Sequence, residues 1–257
     1  MALITFLSDF GSTDHYVAAV KARILNINSG LQIVDISHDI EPCNLAQASF
    51  VLKNIFRDFP EGTVHLVGVN SSNTPDDTHL ALKIEEHYFV GNDNGLWGLI
   101  SDEEANVVIN INSLKPIESP FPAKDILAPA AAKLASTASI QDLGKPVKEY
   151  NQMLARRPKA TKQQITGHVI HVDHFGNLIT NIPDTDFNIL SKGKKFKVKF
   201  GRETMIKIHG GYRTVENGDC FLLFNSMGLL EIGINNGNAS QLLGLEYDSP
   251  VIINFED

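Results

Sequence analysis

Two carboxylates stand close together in Ser8-Asp9-Phe10-Gly11-Ser12-Thr13-Asp14-His15-Tyr16, directly after an apolar run at residues 3–7. Val17, Val20, Ile24 and Ile27 then recur at helical spacing, with Ser12 or Thr13 available as the N-cap. The pattern predicts strand, tight turn and helix. In an open α/β sheet such a corner lies at the carboxyl end of a strand, where these folds bind ligands. Asp9 and Asp14 beside a helix N-terminus suit a ligand that offers hydroxyls or positive charge, not a phosphate. Both acids also have ordinary structural uses, Asp9 in ending a strand and Asp14 in favouring the helix dipole.

Two later stretches could complete a site. Val172-Asp173-His174-Phe175-Gly176-Asn177 gathers an acid, an aromatic ring and an amide around a strand turn. Asn225-Ser226-Met227-Gly228 opens a strand that runs out into Asn235-Asn236-Gly237-Asn238. An Asn amide donates and accepts, which matches the edge of a purine, and Phe175 could stack on its face. Hairpin chemistry alone also accounts for each stretch taken singly. Taken with the Asp9 corner, they point to a purine nucleoside with a charged tail. Other chemistries find no support. The nine His form no HExxH, and His171 and His174 lack a third ligand, so no metal is expected. There is no Gly-rich phosphate loop and no Gly-x-Ser-x-Gly elbow.

The elements that must position these groups change character along the chain. Strand-like runs at 31–36, 64–69, 80–84, 88–90 and 107–111 alternate with helical patterns at 44–56 and 126–135, the latter with Asp125 as its cap. That alternation predicts an α/β N-terminal domain with a mainly parallel sheet over residues 1–150. Periodicity fades over 151–163, which reads as a linker. From 164 to 257 short strands separated by Gly and Asn turns predict a small all-β barrel, with no helix between them. The basic residues of 192–213 alternate with Phe196, Val198 and Phe200, as on solvated strand faces. A formal net charge of −8 argues against a nucleic-acid-binding face. Cys43 and Cys220 match no metal spacing and suggest reduced thiols. With no membrane-spanning run and no signal-like start, the expected location is cytoplasmic.

These residues, in this order, resemble the S-adenosylmethionine (SAM) hydrolases that form adenosine, the SAM hydroxide adenosyltransferases, which are related to the fluorinases and chlorinases. The resemblance runs through Ser8-Asp9-Phe10-Gly11 with Asp14 and Tyr16, Asp93-Asn94-Gly95-Leu96, Asp125-Ile126-Leu127-Ala128-Pro129-Ala130-Ala131-Ala132, Asp173-His174-Phe175-Gly176-Asn177 and Asn225-Ser226-x-Gly228-x-Leu230-Glu231-Ile232. It implies an α/β domain plus a small β-barrel, and a homotrimer with sites between subunits. It implies no cofactor beyond SAM as substrate, and neither a nucleic-acid nor a membrane partner. Carried over, Asp9 grips the ribose hydroxyls, and Asp14, Tyr16, Asp173 and Ser226 hold the methionine amino and carboxylate groups. Phe175 and Tyr212 flank the adenine, Asn177 reads its edge, and the backbone at Asn235-Asn236 completes that contact. Phe121 matches an aromatic of the halide pocket.

The resemblance implies in-line displacement at C5′ with methionine as leaving group. A sulfonium leaves as a neutral thioether, so no general acid is needed, and the demand falls on the nucleophile. Here the sequence departs from the family. The hydroxide-using members carry an Asp, an Arg and a His; this chain has Asn70, Asp77 or Thr78, and Pro122 at those positions. The halogenase Tyr is likewise Asn70, and a fluorinase Ser is Ala123. The expected reaction is hydrolysis of SAM to adenosine and methionine at a rearranged water site built on Asn70, Thr74 and His79. The alternatives are a non-catalytic SAM- or adenosine-binding protein and a transferase that uses halide or another nucleophile.

Overall fold

The computed structural model describes residues 3–71, 78–111, 118–136 and 138–256. The chain separates into two compact units, 1–155 and 156–257. Between their main elements, Asn151 and Met153 bond back to Asp93 and Gly95, and a short strand at Lys159–Ala160 pairs forward with Ile165 and Thr166.

The first unit is built on β1 (Leu3–Ser8), flanked by β2 (Gln32–Ser37) and β3 (Val64–Gly68), both parallel to it. Successive strand side chains alternate between faces, and the cores follow that rule. Ile4 and Phe6 pack with Val64 and Leu66 against α1 (Tyr16–Ile27) and the alanine-rich α4 (Ala128–Ser136). Leu7 and Val67 belong to the opposite core, with Leu52 of α2 (Leu45–Lys53), Phe56, and Trp97 of α3 (Trp97–Ile100). Helices thus cover both faces of the sheet.

The sheet is mixed rather than mainly parallel. Its order is β2-β1-β3-β5-β4-β6-β7, with β4 (His79–Ile84), β5 (His87–Asn92), β6 (Val107–Asn110) and β7 (Lys145–Pro146). β5 joins β3 in parallel, but β4, β6 and β7 add on antiparallel. Side-chain alternation is the same in both kinds of ladder, so the pattern of burial carried no information about strand direction. Two predicted caps are also corrected. The first intrahelical bond of α1 runs from Ala19 N–H to the His15 carbonyl, so His15, without a side-chain bond, takes the N-cap position and Ser12 and Thr13 lie upstream. Asp125 sits inside a π-helical turn, Ala123–Leu127, that leads into α4, and its carboxylate accepts from Ser119 Oγ at 2.5 Å.

In the second unit all pairings are antiparallel. β9 (Gln164–Val172) pairs β15 (Pro250–Glu256) along its first half and β10 (Leu178–Pro183) along its second. β11 (Lys195–Phe200) and β12 (Glu203–Met205) extend one side, and β14 (Leu229–Ile234) and β13 (Cys220–Phe224) the other. The ladder runs as a path from β12 to β13, and among the described residues no pairing joins its ends. The unit is not all-β. α5 (Asp184–Leu190) and α6 (Ala239–Leu243) interrupt the strands, each too short to show a helical period in sequence. Its core gathers Ile165, Val169, Leu178, Leu222, Ile232 and Ile253.

Candidate active site

The residues singled out in the sequence fall into two groups, one in each unit. In the first, β1 ends at Ser8 and the chain turns through Asp9. One carboxylate oxygen, Asp9 Oδ2, accepts backbone N–H bonds from Cys43 and Asn70, each at 2.9 Å. Both donors adopt positive φ, +62° for Cys43 and +47° for Asn70, a conformation that costs a residue with a side chain free energy but that Asn tolerates best. The loop after β2 and the end of β3 are therefore both folded toward this carboxylate. Asp9 Oδ1 makes no hydrogen bond among the described residues. A second set of bonds fixes the same corner. Ser8 Oγ and His38 Nδ1 are 2.7 Å apart, His38 Nε2 lies 3.1 Å from Asp35 Oδ1, and the His38 carbonyl accepts from Gly11 N–H at 2.8 Å. Burial tends to raise the Asp35 pKa, but the hydrogen bonds from Lys21 and His38 outweigh it and hold the group below its ordinary value.

Tyr16 and Phe121 meet around Phe10. Phe10 lies 5.7 Å from Phe121 and 6.3 Å from Tyr16, and Tyr16 and Phe121 are 5.5 Å apart, edge to face. Asp14 is exposed just ahead of α1. His79 is wholly enclosed in β4, opposite Asn92. Thr74 lies outside the described residues.

In the second unit, Asp173, Phe175, Asn177, Tyr212, Asn235 and Asn236 line one pocket of about 730 Å³. The turn after β9 makes its acidic corner: Asp173 Oδ1 accepts Asn177 N–H at 2.8 Å and Oδ2 accepts Asn177 Nδ2 at 3.0 Å. Gly176, at φ +84°, closes this turn against Asn238, and an added Cβ would lie 2.2 Å from the Asn238 Cγ. Phe175 is 75% exposed and Tyr212 49%, so both rings present a face without a protein neighbour covering it. Burial raises the Tyr212 hydroxyl pKa, with Glu231 adding to it. The Asn235 and Asn236 amides are spent on the loop before β13, Asn235 Nδ2 donating to the Val215 carbonyl at 2.8 Å and Asn236 Nδ2 to Asn217 Oδ1 at 2.9 Å. The Asn235 backbone is tied to the same loop, its N–H donating to the Asp219 carbonyl at 3.0 Å and its carbonyl accepting from Gly218 N–H at 2.8 Å. Ser226 lies exposed on the β13–β14 turn and is not part of the pocket lining.

Sequence reasoning missed Arg213, Phe221 and Ile234 as pocket residues. The signal for Phe221 lies in the pairing of β13 with β14, which sets its ring opposite Gly233. His38 stood at a polar strand end in the sequence, but its grip on Ser8 depends on which strands are neighbours.

Residues 4–144 match the profile of the SAM hydroxide adenosyltransferase N-terminal domain, and residues 167–252 that of the corresponding C-terminal domain. The chain belongs to the SAM hydroxide adenosyltransferase family. It is 32% identical to a protein of Methanocaldococcus jannaschii named (R)-S-adenosyl-L-methionine hydrolase, over 95% of this chain and 93% of that one. A Thermus thermophilus protein of the same name is 32% identical over 98% and 99%. A fluorinase from an Actinoplanes species is more distant, at 24% over 80% and 77%. The crystal structure of a conserved Thermotoga maritima protein superposes with a TM-score of 0.89 at 32% identity, covering 98% of this chain and all of the other.

Proposed function

We propose that this family member hydrolyses SAM to adenosine and methionine by in-line displacement at C5′. The observation that carries the reading is the 730 Å³ pocket: an acid, two aromatic rings and an amide for a purine nucleoside converge there from separate stretches of the chain. Asp9 Oδ1 takes the ribose diol, which aims C5′, while Asp14, Tyr16, Asp173 and Ser226 hold the amino-acid end. Phe175 and Tyr212 flank the adenine, and Asn177 with the Asn235-Asn236 backbone reads its edge. Phe10, Tyr16 and Phe121 supply an apolar wall that keeps the reacting centre dry, where the attraction between carboxylates and a sulfonium is strongest. Asn70 and Thr74 hold the attacking water. His79, enclosed in β4, takes no part. The resemblance further supports a cytoplasmic homotrimer with sites shared between subunits and no cofactor.

A second reading, a SAM or adenosine binder without turnover, is favoured by Asn70 and Pro122 standing where the hydroxide-using members carry Asp and His. Incubation of pure protein with SAM, with and without chloride, followed by chromatography, separates the possibilities. Adenosine formed above the spontaneous rate supports hydrolysis, and a 5′-chloro product supports halide transfer. Tight calorimetric binding without any product leaves the binder.

A further inference from the structure

Glu231 lies in β14 and is only 2% exposed. A glutamate is almost never enclosed so far unless a cation pairs with it. The groups that act on this one are an amide, a phenol and another carboxylate. Asn225 Nδ2 donates to Glu231 Oε2 at 3.0 Å, Glu231 Oε1 is buried without a hydrogen-bond partner among the described residues, and the Tyr212 hydroxyl favours the charged form of the carboxyl. Asp173 acts on it as a like charge. Across the sheet, Leu223 of β13 and Ile179 of β10 stand opposite Glu231, and neither titrates. The same row continues from Ile179 to His171 of β9, whose imidazole burial holds below its ordinary pKa, with Asp173 opposing.

This carboxyl is tied to pocket elements on two sides. Tyr212 and Asp173 line the pocket themselves. Asn225, which Glu231 holds, caps its own turn through Oδ1, accepting from Met227 N–H at 3.0 Å and Leu229 N–H at 3.2 Å, and that turn carries Ser226. Burial, joined by the Asp173 charge, pushes the Glu231 carboxyl above the usual carboxylate range, against the pull of Asn225 and Tyr212.

We propose that Glu231 is the proton-exchange group of the pocket, giving up a proton when a cationic ligand settles beside Asp173. The inference rests on the proposed function, in that SAM is the cation. No bond to the ligand forms. The carboxylic acid gives its proton to the buffer, and the carboxylate left behind balances the incoming positive charge. A unit charge within about 7 Å, at an effective dielectric constant of about 20, favours the ionised form about fifty-fold. A neutral nucleoside has no such effect.

Calorimetric titration of the full chain in two buffers of unlike ionisation enthalpy, at a series of pH values from the ordinary carboxylate range upward, tests this. SAM is expected to release about 0.4–0.5 proton per site where Glu231 is half-ionised, and adenosine close to none. E231Q should remove the release while still binding adenosine. Y212F, which deletes a hydroxyl that favours the carboxylate, should move the release to higher pH and provides a second measurement if E231Q folds poorly. SAM binding with no buffer-dependent heat, or the same release from E231Q as from wild type, overturns the proposal and leaves the proposed function standing. Failure of both SAM and adenosine to bind overturns both.

Discussion

Gly233→Ala tests the pocket wall with a single methyl group. In the β13–β14 ladder Gly233 faces Phe221, and a Cβ there would lie 2.1 Å from the Phe221 Cζ and 2.7 Å from Asn177 Oδ1. Carbon atoms pack best at about 3.5–4.0 Å, so the ring would have to withdraw by roughly 1.5 Å. Phe221 is 1% exposed, so its ring can withdraw only by displacing packed neighbours or by entering the pocket it lines. Overpacking of this kind costs about 1–3 kcal/mol, offset by about 0.4–1 kcal/mol because alanine restricts the unfolded chain more than glycine does. A net loss of roughly 1–2 kcal/mol corresponds to a Tm lower by about 2–8 °C. The same methyl group displaces the Asn177 oxygen from the pocket, and losing one such hydrogen bond plus the fit of the wall should weaken adenosine binding about ten- to a hundred-fold. Thermal melts and calorimetric titration read both effects. Gly210→Ala, where an added Cβ meets nothing within 4 Å, serves as the control: it should leave adenosine affinity unchanged and stabilise the fold by about 0.4–1 kcal/mol. A G233A protein with wild-type Tm and wild-type affinity would refute the placement of Phe221 and Asn177 in the pocket wall.

Asp9→Ala removes the acceptor for the Cys43 and Asn70 N–H groups, and should cost about 1–3 kcal/mol in urea unfolding and most of the affinity for adenosine. Wild-type affinity in this variant would show that Asp9 does not hold the ribose. Burial lowers the His65 pKa from 6.5 to about 3, with the nearby His87 adding to the effect, so between those values the unfolded chain binds more protons than the folded one. Stability should therefore fall as pH falls through that window, by about 2 kcal/mol from this site between about pH 7.5 and 5. Urea midpoints of His65→Gln should be less steep over the same range, and an equal slope would assign the acid sensitivity to other groups. Asn70→Asp restores a carboxylate at the end of β3. Since a positioned base contributes about 10²–10⁴-fold, adenosine formation should rise at least about ten-fold, and an unchanged rate would show that deprotonating water is not the slow step.

Much of the first unit was legible because burial follows strand alternation directly: Ile4 and Phe6 go to one core and Leu7 to the other. The polar corner at Asp9 was legible for the same reason, since only a strand end explains where the apolar run stops. Strand direction was not, because β6 and β7 show the burial that either direction would give. The two short helices of the second unit escaped for lack of length, although Pro183 followed by Asp184 and Asp186 is an N-terminal signal. The pocket residues named from sequence were those whose chemistry is conspicuous. Phe221 and Gly233 were hidden because a large ring opposite a glycine has meaning only once the register is known. Glu231 was visible as part of a motif, but its enclosure with Tyr212 and Asn225 follows from the packing of three separate segments.

Binding and reaction are separable at the first corner because they use different atoms of the same residues. Asn70 holds Asp9 through its backbone N–H, an interaction that does not depend on the side chain at position 70. Replacing an acid by an amide there preserves the carboxylate clamp and removes a base. Nearby, Gly68 packs toward Phe10 and Ala123: a Cβ added to it would lie 3.1 Å from the Phe10 ring and 3.6 Å from the Ala123 methyl. Pro122 is buried beside Ala123. The wall next to the β3 end is thus apolar. Such a wall raises the reactivity of an anion that reaches it, because the anion is poorly solvated, but it does nothing to take a proton from water. The leaving thioether requires no acid, so the only titrating species left on the reaction path is the nucleophile. If hydroxide from solution supplies it, turnover should climb about ten-fold per pH unit above neutrality without reaching a plateau. A plateau near neutral pH would instead identify a base inside the protein and direct the search to residues other than Asn70 and Pro122.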